Sequence, residues 1–477
     1  MKHFLLIVTF LFSAFQFANS QDGIGAWTQT YSSTARIFSI TVDPTNQNTM
    51  YVGSLDNGIN KTTNAGLNWT LMNTGLTYNH VFAIAVSKSS PNIVYAATDS
   101  LGGWTTSGLY KSTDGGASWT ICSAGIYDSK NIQCIVVHPT NPNIVFCGTF
   151  NAYFDSPVGF WKTTDGGTTW SAASTGMGNK NILSCAMNPK NPNVIYAGSS
   201  LIYSTQTGPV SMYRSNDMGA TWTLIVNGIP QTSTDNNPIR CLSVSSLDTT
   251  VVLAGLFQNS ASLTGGMFVT TNGGQLWVAK NSGTPQTQAY LPRSCLIVPG
   301  SATEFYSGWD NSGLVNIGVY RTTDAGNSWV NFSGGAFQST WAVRGLGYRT
   351  SPGNPTLYAG NAGTATASTG TGLYEYSWQA SGIIGNTNIP DKYDLLQNYP
   401  NPFNPVTEIK YELLKQGFVT LKVYDITGKE VTTLVNDFQP AGYYTVSFNG
   451  AKLSSGNYFY RIITDNFTAV KKMVLVK

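Results

Sequence analysis

Ser112-Thr113-Asp114-Gly115-Gly116-Ala117-Ser118-Trp119 is the stretch from which the rest of the chain becomes readable. A hydroxyl residue is followed two positions on by an acid, then by Gly at the fifth place and Trp at the eighth. The same order returns at Thr62 to Trp69, Thr163 to Trp170, Ser215 to Trp222, Thr270 to Trp277 and Thr322 to Trp329. Trp69, Trp119, Trp170, Trp222, Trp277 and Trp329 lie 50, 51, 52, 55 and 52 residues apart. A fixed period of this length marks a repeat array in which each unit is one supersecondary element. Asn64 and Asn272 stand in for the acid in the first and fifth copies.

Each period holds four short segments with the β-branched and aromatic content and the two-residue alternation of strands. In the second repeat these fall at 82–86, 92–96, 108–111 and 119–121. Pro and Asn mark the turn between the first two, as in Asp43-Pro44-Thr45-Asn46. A seventh copy is incomplete: residues 341–348, 356–360 and 372–375 supply three strands, but the box and the fourth strand are missing. Ala26-Trp27-Thr28-Gln29 resembles the start of that fourth strand and precedes the first repeat. Exchange of one strand between the ends of the array closes a ring of sheets and leaves no free edge. The expected fold is therefore all-β, a seven-bladed β-propeller closed by an N-terminal strand and followed by a small C-terminal β-sandwich.

The repeated box, Ser/Thr-x-Asp-x-Gly-x-Thr/Ser-Trp, resembles that of the Asp-box (BNR) propellers, which include sialidases, sortilin-type receptors and xyloglucanase-type glycosidases. Asn64, Asp114, Asp165, Asp217, Asn272 and Asp324 are assigned a structural role in it. The acid accepts backbone hydrogen bonds, Gly takes a positive φ, and Trp packs against the sheet.

Lys2, the apolar run 4–17 and Ala18-Asn19-Ser20 read as a secretory signal spanning residues 1–20. The propeller is expected over 21–380, a linker over 381–394 and a second domain over 395–477. Residues 22–387 hold 15 basic and 15 acidic side chains. A neutral, sparsely charged surface gives no case for nucleic acid, which requires a dense basic face. No transmembrane segment is evident. Cys134, Cys185, Cys241 and Cys295 are assigned one repeat register with Ser39, Ala83 and Gly345, a register of small packed side chains. A Cys122–Cys147 bridge is left open.

The boxes occupy the turns on one face, so variation concentrates on the other. Its loops carry Trp104, Tyr153, Phe257, Trp309 and Trp341, flat rings that either stack on sugars or pack the loops themselves. Arg36, Arg240, Arg293 and Arg344 lie at the starts of first strands, where guanidinium groups bind a carboxylate or sulfate bidentately. Arg36, Arg240 and Arg344 are expected to share an orientation, with Arg293 one residue out. Asp56, Asp99 and Asp155 come from the opposite half and are candidates either for ligand contact or for charge neutralisation. A sialidase reading fails on acids, since Glu304 and Glu375 both map to the box side. A glycosidase needs two carboxyls across a cleft, and no pair stands out among Asp56, Asp99, Asp155, Asp235 and Asp310. His80 and His138 build no triad or metal cluster, so neither cofactor nor metal is called for.

After the array come Leu396 to Thr407 with Asn398-Tyr399-Pro400-Asn401-Pro402-Phe403, then Val423 to Lys429, Leu453 to Tyr460 and Lys471-Lys472-Met473-Val474. These residues closely resemble the type A C-terminal sorting domain of the type IX secretion system. The resemblance implies a Gram-negative source, secretion or attachment at the outer cell surface, and as partners the secretion machinery with its sorting peptidase. The expected function is a secreted or surface propeller that binds a glycan or another extracellular polymer. An Asp-box glycoside hydrolase and a protein-binding scaffold of the cell envelope are the alternatives.

Overall fold

The computed structural model describes residues 26–32, 36–98, 108–126, 131–150, 159–178, 180–200, 212–230, 238–257, 265–285, 291–310, 318–333, 342–350, 355–362, 371–377, 390, 392–415, 417–439, 442–464 and 467–477. The signal-sequence reading, Asp99, Asp155, Asp235, Trp104, Tyr153 and Trp341 lie outside the described residues. The chain divides into two compact units, one covering Ala26–Ser377 and the other containing Trp378–Lys477.

Seven four-stranded antiparallel sheets make up the first unit. The first sheet runs Ile37–Val42, Met50–Ser54, Gly58–Thr62 and Thr70–Leu71. In every sheet the second strand is buried almost throughout, from Met50–Ser54 in the first to Thr356–Asn361 in the seventh, because neighbouring sheets cover both of its faces. The seventh sheet takes its first three strands from Val343–Arg349, Thr356–Asn361 and Gly372–Ser377. Ala26–Ser32 supplies the fourth, with Trp27 opposite Tyr376. First strands touch their neighbours in sequence order, and Val343–Arg349 touches Ile37–Val42, so the order is circular.

Close approach between sheets explains the small residues. The second strands carry Gly53, Gly148, Gly198, Gly308 and Gly360 at one register. A Cβ placed on any of them would lie 2.5–2.7 Å from the side chain that opens the next sheet, Val81, Ile182, Ile239, Val343 and Ile37 respectively. The last of these contacts joins the seventh sheet to the first.

Every first strand contains a β-bulge at the same place. The ladder skips Phe38, Phe82, Gln133, Leu183, Arg240, Arg293 and Arg344 in turn. This corrects two expectations. The small residues that follow the bulge are Ser39, Ala83, Cys134, Ser184, Cys241, Ser294 and Gly345, so Cys185 and Cys295 stand one place further on. Arg293 shares the position of Arg240 and Arg344, whereas Arg36 precedes the bulge by two residues. A bulge adds one residue to one strand and inverts the alternation beyond it. All six cysteines, Cys122 and Cys147 included, are free thiols. Burial pushes the Cys122 thiol up to about 12.

The second unit contains a three-stranded sheet of Asp394–Leu395, Val406–Leu413 and Gly442–Asn449. Its companion is four-stranded, ordered Glu430–Gln439, Gly417–Tyr424, Gly456–Ile463 and Thr468–Leu475. Alternate residues Ile409, Tyr411 and Leu413 pack with Val419, Leu421, Val423, Tyr460 and Ile462 in one core. The Pro-rich motif is tied to the chain end: Asn401 Oδ1 accepts from Val474 N at 2.9 Å, and Val476 N donates to Phe403 O at 3.0 Å. Asn398 donates to Thr407 Oγ1 at 2.9 Å and receives its own anchor through N–H to Tyr460 Oη at 2.8 Å. No helix is present among the described residues, and none is long and apolar enough to cross a membrane.

Candidate functional site

The two ends of the ring do different work. At the box end, side chains are consumed by holding turns and joining sheets. In the third copy Thr163 Oγ1 donates to Asp165 Oδ1 at 2.7 Å and accepts from Gly167 N at 2.9 Å. Thr169 then donates through N to Oδ1 at 3.0 Å and through Oγ1 to Oδ2 at 2.6 Å. Bonds to the Thr169 and Thr163 hydroxyls and to backbone N–H hold the Asp165 carboxyl well below the usual carboxylate range. Asp114, Asp217 and Asp324 repeat the arrangement with Ser118, Thr221 and Ser328. These acids face their own turn rather than an open cleft.

Five of the six box tryptophans then reach the preceding sheet. The indole N–H of Trp119, Trp170, Trp222, Trp277 and Trp329 donates to Met72, Cys122, Ala173, Ile225 and Lys280 carbonyls at 2.6–3.0 Å. Glu304 accepts from Tyr306 Oη at 2.7 Å and Arg321 Nε at 2.9 Å, which places it on this end as a structural acid. His138 Nδ1 caps its turn by accepting from Asn141 N at 3.2 Å. The opening here is a mostly apolar depression bordered by Val42, Ile84, Val86, Val137 and Met187, with Lys88 beside them.

At the opposite end the bulge residues form a divided ring. Phe38, Phe82 and Leu183 are apolar, and the Phe38 and Phe82 rings meet edge to face at 5.0 Å. Arg240, Arg293 and Arg344 fill three consecutive places. Asp310, only 7% exposed, accepts from Arg293 Nε at 2.5 Å and Arg344 Nη2 at 3.2 Å, the second bond crossing from sixth sheet to seventh. Arg240 and Arg293 both lie over Phe257, at 5.4 and 4.8 Å from its centroid, and Arg344 lies over Phe38 at 4.6 Å. Arg240 makes no hydrogen bond or ion pair among the described residues, and its Nε is closed off from water. Burial, with the repulsion of Arg293 and Arg344, pulls it down to about 9, so it remains cationic at neutral pH.

Arg36 stands apart from this group. It holds Asp56 in a two-bond fork, Nε to Oδ2 at 3.0 Å and Nη2 to Oδ1 at 2.9 Å, so the pair neutralises itself within one sheet. Trp309 is 1% exposed, opposite Pro292 in the ladder and edge to face with Tyr320, and so serves the core rather than the loop face. Phe257 is one of the loop rings singled out from sequence, whereas Phe38 is not; a repeat alignment that allowed for the bulge would have set Phe38 beside the arginines. Among the described residues no group of three or more His, Cys, Asp or Glu is placed to hold a metal ion.

Residues 397–477 match the family described as the secretion system C-terminal sorting domain. None of the curated proteins matches the chain in sequence. Among solved structures, PorZ, a bacterial surface component of the type IX secretion system of Porphyromonas gingivalis, is similar at 14% identity and a TM-score of 0.51. The match covers 90% of this chain and 58% of that one. YCF48 from Cyanidioschyzon merolae is 14% identical with a TM-score of 0.49, covering 74% of this chain and 99% of its own. The Niastella koreensis GH74 enzyme is 17% identical with a TM-score of 0.47, covering 92% and 66%. The chain thus spans less than two thirds of PorZ and of the GH74 enzyme. It is a β-propeller protein with a type IX sorting tail, secreted from or displayed on the surface of a Gram-negative cell.

Proposed function

We propose that the propeller is a non-catalytic binding module for a glycan or another extracellular polymer, carried outside the cell by its sorting domain after removal of an N-terminal signal. In this reading the seven sheets are seven blades of a complete ring, the C-terminal unit is a small β-sandwich, and the ligand meets the end remote from the boxes. The observation that carries it is the division of labour between the two ends. The box end spends its polar groups internally, while the other end gathers Arg240, Arg293 and Arg344 beside the faces of Phe257 and Phe38. Rings adjoining forked donors are the combination that seats a sugar, one by apolar contact and the other by directed hydrogen bonds.

Hydrolysis finds no support in the described carboxyls of this end. Asp56 is forked by Arg36 and Asp310 is held by Arg293 and Arg344. Neither is available as a proton donor or nucleophile across a cleft. A glycan array probed with the secreted protein, followed by product analysis on every polymer retained, tests both halves. Retention without cleavage is the expected result. Turnover of any polymer, or failure to retain all of them, defeats the proposal.

A further inference from the structure

The seven bulge positions form a comparison that the molecule itself supplies. The same backbone feature, repeated in the first strand of each sheet, presents Phe, Phe, Gln, Leu, Arg, Arg and Arg. Packing alone would be served by the apolar types, as the first, second and fourth sheets show. Three adjacent guanidiniums instead repel one another in a partly buried setting, where charge is costly. A single carboxylate, Asp310, is shared by two of them. Arg240 is the third, without hydrogen bond or ion pair among the described residues.

We infer that the arginine part of this ring is an oxyanion site that takes the carboxylate or sulfate of an acidic sugar, with Arg240 as the principal donor and Arg344 and Arg293 as flanking charge. The inference rests on the proposed glycan-binding function and narrows it to one class of ligand. The geometry suits that class for two reasons. A guanidinium presents paired N–H donors that match two oxygens of an oxyanion. Phe257, beneath both Arg240 and Arg293, fixes the planes of those forks by stacking, so less freedom is lost when an anion arrives. The depression at the opposite end is lined mostly by aliphatic side chains and prolines, with Lys88 as the cation among them, and an ammonium lacks the paired donors of a guanidinium.

The test uses the full secreted chain and three immobilised polymers: polygalacturonate for carboxylate, dextran sulfate for sulfate and unmodified dextran as the neutral arm. Retention of at least one acidic polymer, lost as salt rises, is expected, and Arg240→Ala should weaken it about tenfold, the scale of losing one charged hydrogen-bond donor. Arg240→Lys, which keeps the charge and removes the fork, should fall between. Lys190→Ala removes a cation from the box end and should leave retention unchanged. Thermal melting of each variant confirms a folded ring. Binding of dextran alone, or acidic binding untouched by both Arg240 variants, overturns the anion site while leaving glycan binding standing. Absence of binding to all three polymers and to the wider array removes both.

Discussion

The indole N–H of Trp27 donates to the carbonyl of Phe332 at 2.8 Å, across 305 residues of sequence. It is the bond that Trp329 makes to Lys280 and Trp119 makes to Met72, each also at 2.8 Å. Trp27 therefore takes the place of a seventh box tryptophan although no box precedes it. The seam is imperfect on its other side. The closing strand has a register irregularity between Gln29 and Tyr31, and Trp69 Nε1 is left without a partner among the described residues.

Trp27→Ala should lower stability by about 3 kcal/mol, the range of a large aromatic truncation in a packed site. Because the residue also fixes the closing strand, its loss should match that of Trp170→Ala in a thermal melt. A much smaller shift would mean that the seventh sheet holds without its fourth strand.

The turn glycines before five of the six boxes are set against the next tryptophan. Gly228 has φ +88°, and a Cβ there would lie 2.0 Å from the Trp277 carbonyl oxygen. That carbonyl belongs to the residue whose N–H bonds Asn227 O at 2.9 Å. Gly228→Ala should cost about 1–3 kcal/mol through a strained φ and a parted seam, read as a lowered denaturant midpoint with unchanged slope.

Within the boxes, acid and hydroxyl travel together. Asp114, Asp165, Asp217 and Asp324 each receive a hydroxyl from Ser118, Thr169, Thr221 or Ser328, whereas Asn64 and Asn272 are followed by Asn68 and Leu276. An amide nitrogen cannot accept, so the hydroxyl has no use there. Converting the fifth copy with Asn272→Asp and Leu276→Thr together should raise Tm by about 1–2 °C, and either change alone should not. The hydroxyl and N–H of Thr221 hold the Asp217 carboxyl down at about 2. A depressed carboxylate contributes stability above pH about 4 and loses it as pH falls through its folded value. Acid melts should decline between those limits, and Asp217→Asn should flatten part of that decline.

His138 does in the third sheet what Asn188 does in the fourth: each accepts two backbone N–H groups of its turn, at 3.2–3.3 Å and 2.9–3.0 Å respectively. Burial lowers its pKa from 6.5. A folded value below the unfolded one gives stability that is complete above about pH 6.5 and is lost as pH falls. His138→Asn should preserve the cap and abolish that part of the pH dependence in melts followed from pH 7 to 5.

Deleting residues 397–477 removes the sorting domain and leaves Ala26–Ser377 intact. The shortened chain should accumulate inside the cell envelope with an unchanged melting profile for the propeller. Its appearance in the medium at the usual level would show that another segment directs export.

Much of this was legible from side chains whose job is local. The box spells out its own turn, so Asp165 and Thr169 declare their relationship across four residues. Trp27-Thr28 betrayed the closing strand because Trp119-Thr120 repeats the dipeptide. The arginine site was only half legible. All four arginines were candidates, but Arg240 and Arg344 were given the orientation of Arg36 with Arg293 one residue out, since a bulge leaves no mark in composition and shifts alternation by one. Trp309 looked like a loop ring because it ends a strand, yet its ladder partner Pro292 and its neighbour Tyr320 hold it inside. Asp310 read as a possible acid, and only the convergence of two neighbouring strands showed it to be the counterion of Arg293 and Arg344.

The pairing of Ala26–Ser32 with Gly372–Ser377 also sets an order of events. The segment that leaves the ribosome early must wait, with one edge bare, until nearly the whole array has emerged before it meets its mate. Long-range pairing of this kind is slow, and until it happens the exposed edge invites association with other chains. The sorting tail follows the array in the chain, so by the time the export machinery has its address label complete, everything needed to shut the ring has already been delivered.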